Sequence, residues 1–295
     1  MDSKFKYILT YKVSSLYIQA VEKQIQINVI VCCFDPFAMI KTVSKQGVAM
    51  KKTLKIIGMA LGIIILLCMA LGAYMYAKFR AETGKMIVLE TGQLSEGVYA
   101  VKDGYTNFYL VKGTEGYIAI DAGDNTETIR QELRKLKIDN GQVTAIFLTH
   151  TDRDHIAALG LFEKAKIYIS KDEEQMINGK KARFFSLFKN SLPGKYEMMA
   201  DNQTIEISGV QIKGISTPGH TPGAMCYLVN GHYLFTGDSM SLKDGKADLF
   251  NEFFNMDSET QKRSLHKLKG IPDVKYVFTS HYGGSDNHRR AFENW

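Results

Sequence analysis

From about residue 97 the chain runs in apolar blocks of strand length, broken by turn residues. Residues 97–101, 107–111 and 117–121 read as successive antiparallel strands, parted by Asp103-Gly104 and by the turn at 112–116. Residues 124–138 change to helical spacing: Ile129, Leu133 and Leu136 make one apolar face, and Asp124 caps it with Glu127 three positions on. The apolar run 143–149 predicts a buried strand, and 166–170 another, followed by two short helices. Residues 210–215 alternate. Asn230-Gly231 between 226–229 and 232–235 is a hairpin signal, because both turn residues tolerate positive φ. A helix over 258–268 leads to a last strand at 276–279. No repeat of solenoid period is present.

The N-terminal third follows another pattern. Residues 56–77 are 22 positions without a charge, long enough to cross a bilayer at ~1.5 Å per residue. A cleaved signal peptide is the competing reading. The run exceeds the ~7–15 residues of a signal core, Ala70-Leu-Gly72 is a weak cleavage site, and Leu67 before Cys68 does not suit a lipoprotein. An uncleaved anchor is therefore expected, with three segments: 1–49, an anchor over 50–80, and a catalytic domain over 86–295. Residues 27–34 can form a strand, but nothing around them builds a core. Met50-Lys-Lys-Thr-Leu-Lys55 looks like a bacterial start in its own right, so 1–49 reads either as upstream sequence read in frame or as a translated N-terminal segment. Lys41, Lys45, Lys51, Lys52 and Lys55 precede the span, and Lys78, Arg80 and Lys85 follow it. That modest bias puts the N-terminus inside and the catalytic domain outside the cytoplasm.

The formal charge of +6 is unevenly spread. Residues 1–85 carry 12 Lys+Arg against 4 Asp+Glu, and residues 86–295 carry 25 against 27. The second part has no global attraction for nucleic acid, and no nucleic-acid partner is expected. Cys226 is the one cysteine of that part and sits in an apolar run, which makes it a core residue rather than a ligand or nucleophile.

The chemistry concentrates at strand ends. Thr149-His-Thr-Asp-Arg-Asp-His155 places His150, Asp152, Asp154 and His155 directly after the buried run 143–149. His220 lies in a turn-rich loop after 210–215, Asp238 follows the strand ending near Thr236, and His281 follows 276–279. Imidazoles and carboxylates on loops whose origin a strand fixes are what a metal site needs. The other histidines, His232, His266 and His288, have ordinary surface settings and read as structural.

In order, His-x-Asp-x-Asp-His, Gly-His-Thr, Gly-Asp and Ser-His resemble the metallo-β-lactamase superfamily of hydrolases from about Ile87 to the C-terminus. The resemblance implies an α/β fold, a four-layer αββα sandwich, here preceded by one transmembrane helix. It implies one metal on His150, Asp152 and His220, another on Asp154, His155 and His281, and Asp238 between them. Two divalent ions there hold a water and lower its pKa, giving hydroxide as nucleophile. Asp154 is the candidate to orient that nucleophile and shuttle its proton. Asp121 either fixes a ligand imidazole or caps a turn.

One position departs from the usual His-x-His-x-Asp-His: Asp152 replaces the second histidine, a form a minority of the superfamily shows. Three carboxylates then face two divalent ions where the usual motif has two. The cluster is one unit less positive, and an oxygen ligand moves preference from zinc towards manganese or iron. Asp152→His is expected to raise zinc affinity and to move the alkaline limb of activity to lower pH.

The expected activity is hydrolysis of a small-molecule ester, thioester, lactone or amide, in the manner of glyoxalase II or lactonases. The alternatives are a β-lactamase or phosphodiesterase on the same fold, a di-iron redox protein, and a non-catalytic membrane module. Residues 179–200 mix Lys180, Lys181, Arg183, Phe184, Phe185, Phe188, Lys189 and Lys195. They read either as an amphipathic helix with its Phe face in the core or as a lid over the metals.

Overall fold

A computed structural model describes residues 36–183 and 190–295. The strand expected at 27–34 and the positions Phe184, Phe185, Phe188 and Lys189 lie outside them. The chain divides into two compact units, Met1–Ala77 and Lys78–Trp295. Helix α1 is Pro36–Thr83. Its stretch Met50–Thr83 is by length and composition able to cross a membrane, with a mean hydropathy of 2.7 in its most apolar window and none of that window buried. Most large side chains from Met50 to Tyr76, including Ile63, Ile64, Ile65, Leu66 and Leu67, are exposed.

The second unit is a sandwich. Its first sheet runs β1 (Gly92–Ser95), β2 (Val98–Asp103), β3 (Thr106–Gly113), β4 (Gly116–Ile120), β5 (Val143–Phe147), β6 (Lys166–Ser170) and β7 (Tyr196–Met199), in that order across the sheet. Strands β1 to β4 form an antiparallel meander, and β4 to β7 are parallel. The second sheet comprises β8 (Thr204–Ile207), β9 (Val210–Ser216), β10 (Met225–Val229), β11 (Tyr233–Gly237), β14 (Tyr276–Thr279) and β15 (Gly284–Ser285), in the spatial order 15-14-11-10-9-8. A separate hairpin is made by β12 (Ser241–Lys243) and β13 (Lys246–Asp248).

Tyr109, Ile118, Ile120, Phe147 and Tyr168 of the first sheet pack against Ile212, Tyr227, Phe235 and Phe278 of the second. The outer face of the first sheet is covered by α2 (Thr126–Leu136), through Ile129 and Leu133, and by Leu159, Leu161 and Phe162. The outer face of the second is covered by α5 (Ser258–Lys269), through Leu265 and Leu268, and by α6 (His288–Ala291). These are the four αββα layers. Strands covered on both faces read as unbroken apolar runs: all positions of β3 up to Val111 are buried, whereas the edge strand β8 alternates.

The Asn230-Gly231 hairpin forms with both residues at positive φ, 50° and 71°. Of the two short helices expected after β6, α4 (Glu174–Ile177) is present, and the second falls outside the described residues. Two local readings are corrected. Helix α2 is capped by Asn125, whose side chain accepts from the amides of Glu127 and Thr128. Asp124 is diverted, because its own amide is held by Asp103 at 2.6 Å and its carboxylate meets Arg153 at 3.3 Å. His288 is structural but buried, with its Nε2 3.1 Å from the Leu268 carbonyl.

Candidate metal centre

Strands β4 and β5 run parallel in one sheet and β11 and β14 in the other. Their C-terminal ends therefore meet at one rim of the sandwich, and the loops that leave them carry the chemistry. After β5 the chain is pinned before it reaches the first histidine. Thr149 donates its amide to Asp121 at 2.7 Å and its hydroxyl to the same carboxylate at 2.9 Å. Helix α3 (Arg153–Ile156) then starts with Asp152 at the N-cap position, yet the Asp152 side chain makes no capping bond. Its carboxylate is turned the other way, into the cavity. Gly237, immediately before Asp238, has φ 53° and lies so close to the Thr149 side chain that a Cβ would collide with it. A side chain there would push β11 off the first loop.

All seven predicted residues come together. The four imidazoles are almost wholly buried, as is Asp238. Each histidine anchors its Nδ1 and turns its Nε2 inward. Nδ1 of His155 donates to Asp121 at 2.8 Å, and that of His281 to the Tyr105 carbonyl at 2.7 Å. Nδ1 of His220 faces Asn255 Oδ1 at 3.3 Å, and that of His150 faces the Thr149 hydroxyl at 3.1 Å. With the proton held on Nδ1, the Nε2 lone pair is left for the cavity. The Nε2 atoms converge on Asp238. Its Oδ1 lies 3.2 Å from His281 and 3.6 Å from His155, and its Oδ2 lies 3.4 Å from His220 and 3.8 Å from His150. Asp154 adds an oxygen 3.3 Å from His281 Nε2.

This spacing fits cations better than hydrogen bonds. Nε2 of His150, Nε2 of His155 and Oδ1 of Asp238 are buried and have no hydrogen-bond partner among the described residues. A buried polar atom left unpaired is costly, so three together mark the place of a missing partner. Ligand atoms ~2.0–2.1 Å from a tetrahedral zinc ion stand roughly 3.4 Å apart, close to the separations around Asp238. Three sets of donors can each hold an ion: His150, Asp152 and His220; His150, His155 and Asp238; Asp154, His155 and His281.

Five groups not singled out as site residues from the sequence complete the surroundings. Arg183 reaches Asp152 with Nε at 3.1 Å and Nη2 at 2.5 Å, brings Nη2 to 3.0 Å from His220 Nε2, and donates Nη1 to the Phe254 carbonyl. Glu173, fully buried, accepts from the Thr151 amide (2.8 Å), the Thr151 hydroxyl (2.7 Å) and the Thr221 hydroxyl (2.7 Å), tying the His150 and His220 loops together. Asn255 orients His220, and Tyr105 stacks on His281 at 5.8 Å between ring centroids. Phe250 packs against both His220 and His281.

The electrostatics follow these neighbours. Burial pushes the Asp152 carboxyl up, but the Arg183 guanidinium, with His150 and His220, holds it well below the usual carboxylate range. His220 is pushed down to about 4 by burial and by the positive charge of Arg183. For His281 burial works downward, yet Asp238 and Asp154 overcome it and push the imidazole up to about 10.

Comparison with known proteins agrees with this geometry. The chain matches the family profile described as the metallo-beta-lactamase superfamily over residues 101–281. It is 33% identical over 126 residues to BaeB of Bacillus velezensis, described as a probable polyketide biosynthesis zinc-dependent hydrolase, covering 42% of this chain and 49% of that one. The chain thus spans about half the length of that relative. Among solved structures, a metallo-beta-lactamase family protein of Thermus thermophilus superposes with a TM-score of 0.53 at 21% identity, over 68% of this chain and 78% of that one. A Cronobacter sakazakii metallo-beta-lactamase with a HARLDQ motif gives a TM-score of 0.53 at 25% identity, over 69% and 81%.

Proposed function

The chain belongs to the metallo-beta-lactamase superfamily; on that premise we propose that it is a membrane-anchored, metal-dependent hydrolase cleaving an ester, thioester, lactone or amide of a small molecule. The observation that carries the metal assignment is the convergence of four buried Nε2 atoms on Asp238, with two of them, on His150 and His155, and Asp238 Oδ1 lacking a hydrogen-bond partner among the described residues. His150, Asp152 and His220 would hold one cation, Asp154, His155 and His281 the other, and Asp238 would touch both. Zinc is the first expectation, supported by the description of the Bacillus relative, with manganese or iron as alternatives.

When bound, the ions would supply an activated water and polarise the scissile carbonyl. The chain's own groups do the rest. Asp121 and the Tyr105 carbonyl keep His155 and His281 in the tautomer that faces inward. Asp154, beside His281 and one-fifth exposed, can reach solvent and is suited to orient the nucleophile and take its proton. Asp238 and the histidines, closed off from water, keep the reaction in a low-dielectric cavity. Phe79, Tyr105, Phe250 and Phe254 form a chain of edge and face contacts that reaches His281, which favours a substrate with an apolar part.

The exposed apolar length of α1 supports insertion in a bilayer, with the hydrolase outside the cytoplasm. The full-length chain in detergent, loaded with zinc, is to be offered thioesters, lactones, esters, nitrocefin and phosphodiesters, with and without chelator. Chelator-sensitive cleavage of a thioester, lactone or ester is expected, and metal-bound protein inert to the whole panel refutes the hydrolytic reading. Protease accessibility in intact cells tests the orientation: cleavage of the catalytic domain from outside is expected.

A further inference from the structure

Two of the three donors in the first group, Asp152 and His220, already face a cation, while the third, His150, keeps its Nε2 without a partner among the described residues. Both oxygens of Asp152 are engaged by the Arg183 fork, at 3.1 Å to Nε and 2.5 Å to Nη2, and Oδ1 also accepts from Asn190 at 3.2 Å. Arginine has donors only, so Nη2, 3.0 Å from His220 Nε2, takes the lone pair that a metal would otherwise take. The Nδ1 proton of His220, directed at Asn255, leaves that lone pair free for it. The Phe254 carbonyl anchors the third arm, and the Arg183 side chain is only 17% exposed, so the guanidinium is fixed in place rather than resting on the surface. The second group has no such occupant among the described residues: His155 Nε2, His281 Nε2, Asp154 and Asp238 Oδ1 surround one another, no Lys or Arg pairs with either carboxylate, and His155 Nε2 and Asp238 Oδ1 have no hydrogen-bond partner there.

We infer that Arg183 is a built-in cation of the first donor group, so that the chain binds one metal ion tightly, on the second group, and another only by displacing the guanidinium from Asp152 and His220. The same residue answers the charge deficit that Asp152 creates. An aspartate in place of a histidine adds one negative charge to the cavity, and the guanidinium returns one positive charge in bidentate contact with that carboxylate. A lysine would return the charge but not the fork. The inference rests on the metallohydrolase reading and concerns the order and strength of loading.

The test is a metal titration of the full-length chain in detergent, stripped with chelator and then given Zn²⁺ or Co²⁺. Bound equivalents are counted by elemental analysis, and affinities are read by competition with a chromophoric chelator. In the unmodified chain one equivalent binds tightly and the second at least about tenfold more weakly. Arg183→Gln tightens the second equivalent by about tenfold or more and leaves the first unchanged, while Arg183→Lys falls between. Two equivalents of equal affinity in the unmodified chain overturn the inference without recourse to any variant, as does a second equivalent indifferent to Arg183→Gln. Loss of the tight equivalent from the unmodified chain overturns the metallohydrolase reading instead.

Discussion

The two halves of the cavity share one carboxylate, Asp238, and sit in opposite fields. In the first half burial and a guanidinium push His220 down to about 4. In the second half Asp238 and Asp154 outweigh burial and push His281 up to about 10. Burial is the same for both imidazoles, so the neighbours alone set the sign. The contrast separates a donor group whose charge is already balanced from one that still wants a cation. Behind each half stands a buried carboxylate with no room in the cavity itself: Glu173 behind the first, Asp121 behind the second. Fold and field are thus set by different residues, and each can be removed separately.

The largest effect is expected where the halves meet. Asp238→Ala deletes the oxygen pair that all four Nε2 atoms approach and is expected to abolish binding of both ions. Several kcal/mol of transition-state stabilisation from the ions, at a factor of ten per ~1.4 kcal/mol, corresponds to a fall in kcat/KM of about 10³-fold or more. Metal analysis and kinetics of the variant check this, and a variant that keeps either ion at full affinity contradicts the shared role of Asp238.

Next comes the group behind the second half. Asp121→Asn keeps the shape but exchanges the anion that holds the His155 proton at 2.8 Å for a neutral amide. Such outer partners are worth about 10- to 100-fold in metal affinity. The tight equivalent is expected to weaken by that factor, while the first half, which Asp121 reaches only through Thr149, changes little. Equal weakening of both halves would erase the distinction.

How much of this was legible in the sequence divides along the same line. The seven cavity residues were readable because each lies within a few positions of the end of an apolar run, and a strand end is a fixed origin in space. The αββα layers were readable because central strands buried on both faces leave continuous apolar blocks. Arg183 was visible only as one cation among several in residues 179–200; nothing in its neighbours distinguishes a guanidinium that folds back onto Asp152 from one in solvent. Glu173 was missed for the same reason: it lies in a polar run, Lys171-Asp-Glu-Glu, that reads as exposed although one of its members is buried. The cap of α2 moved one residue, from Asp124 to Asn125, because Asp103, some twenty positions upstream, claims the Asp124 amide. Long-range partners of charged side chains leave no local trace.

A smaller effect is expected from the group behind the first half. Glu173→Ala leaves the Thr151 amide and the hydroxyls of Thr151 and Thr221 without their acceptor. Unpaired buried groups cost ~1–3 kcal/mol each, with relaxation recovering part, so a loss of about 2–4 kcal/mol in unfolding free energy is expected. Denaturant titration of the second unit's unfolding checks it. The weaker metal equivalent should loosen with it, since Glu173 joins the His150 loop to the His220 loop by side-chain bonds, and the tight equivalent should not.

The smallest effect is one of pH and separates the charge of Glu173 from its shape. Burial pushes this carboxyl up from 4.5, and the charge of His150 with the hydroxyls of Thr221 and Thr151 recovers only part of the shift. A raised folded pKa means that the native state holds the proton more firmly than the unfolded chain. The stability this contributes is complete below 4.5 and is lost as pH rises through the folded pKa, with a slope of at most about 1.4 kcal/mol per pH unit. Glu173→Gln keeps an acceptor for the Thr151 amide and hydroxyl and has no proton to lose. Its unfolding free energy relative to the unmodified chain is therefore expected to improve as pH rises from 4.5 through the folded pKa of Glu173, and to level off above it. A difference between the two proteins that stays constant over that range shows that the carboxylate is stabilised as an anion by the His150 side of the cavity, and that the field of the first half extends one residue shell further than the contrast with the second half requires.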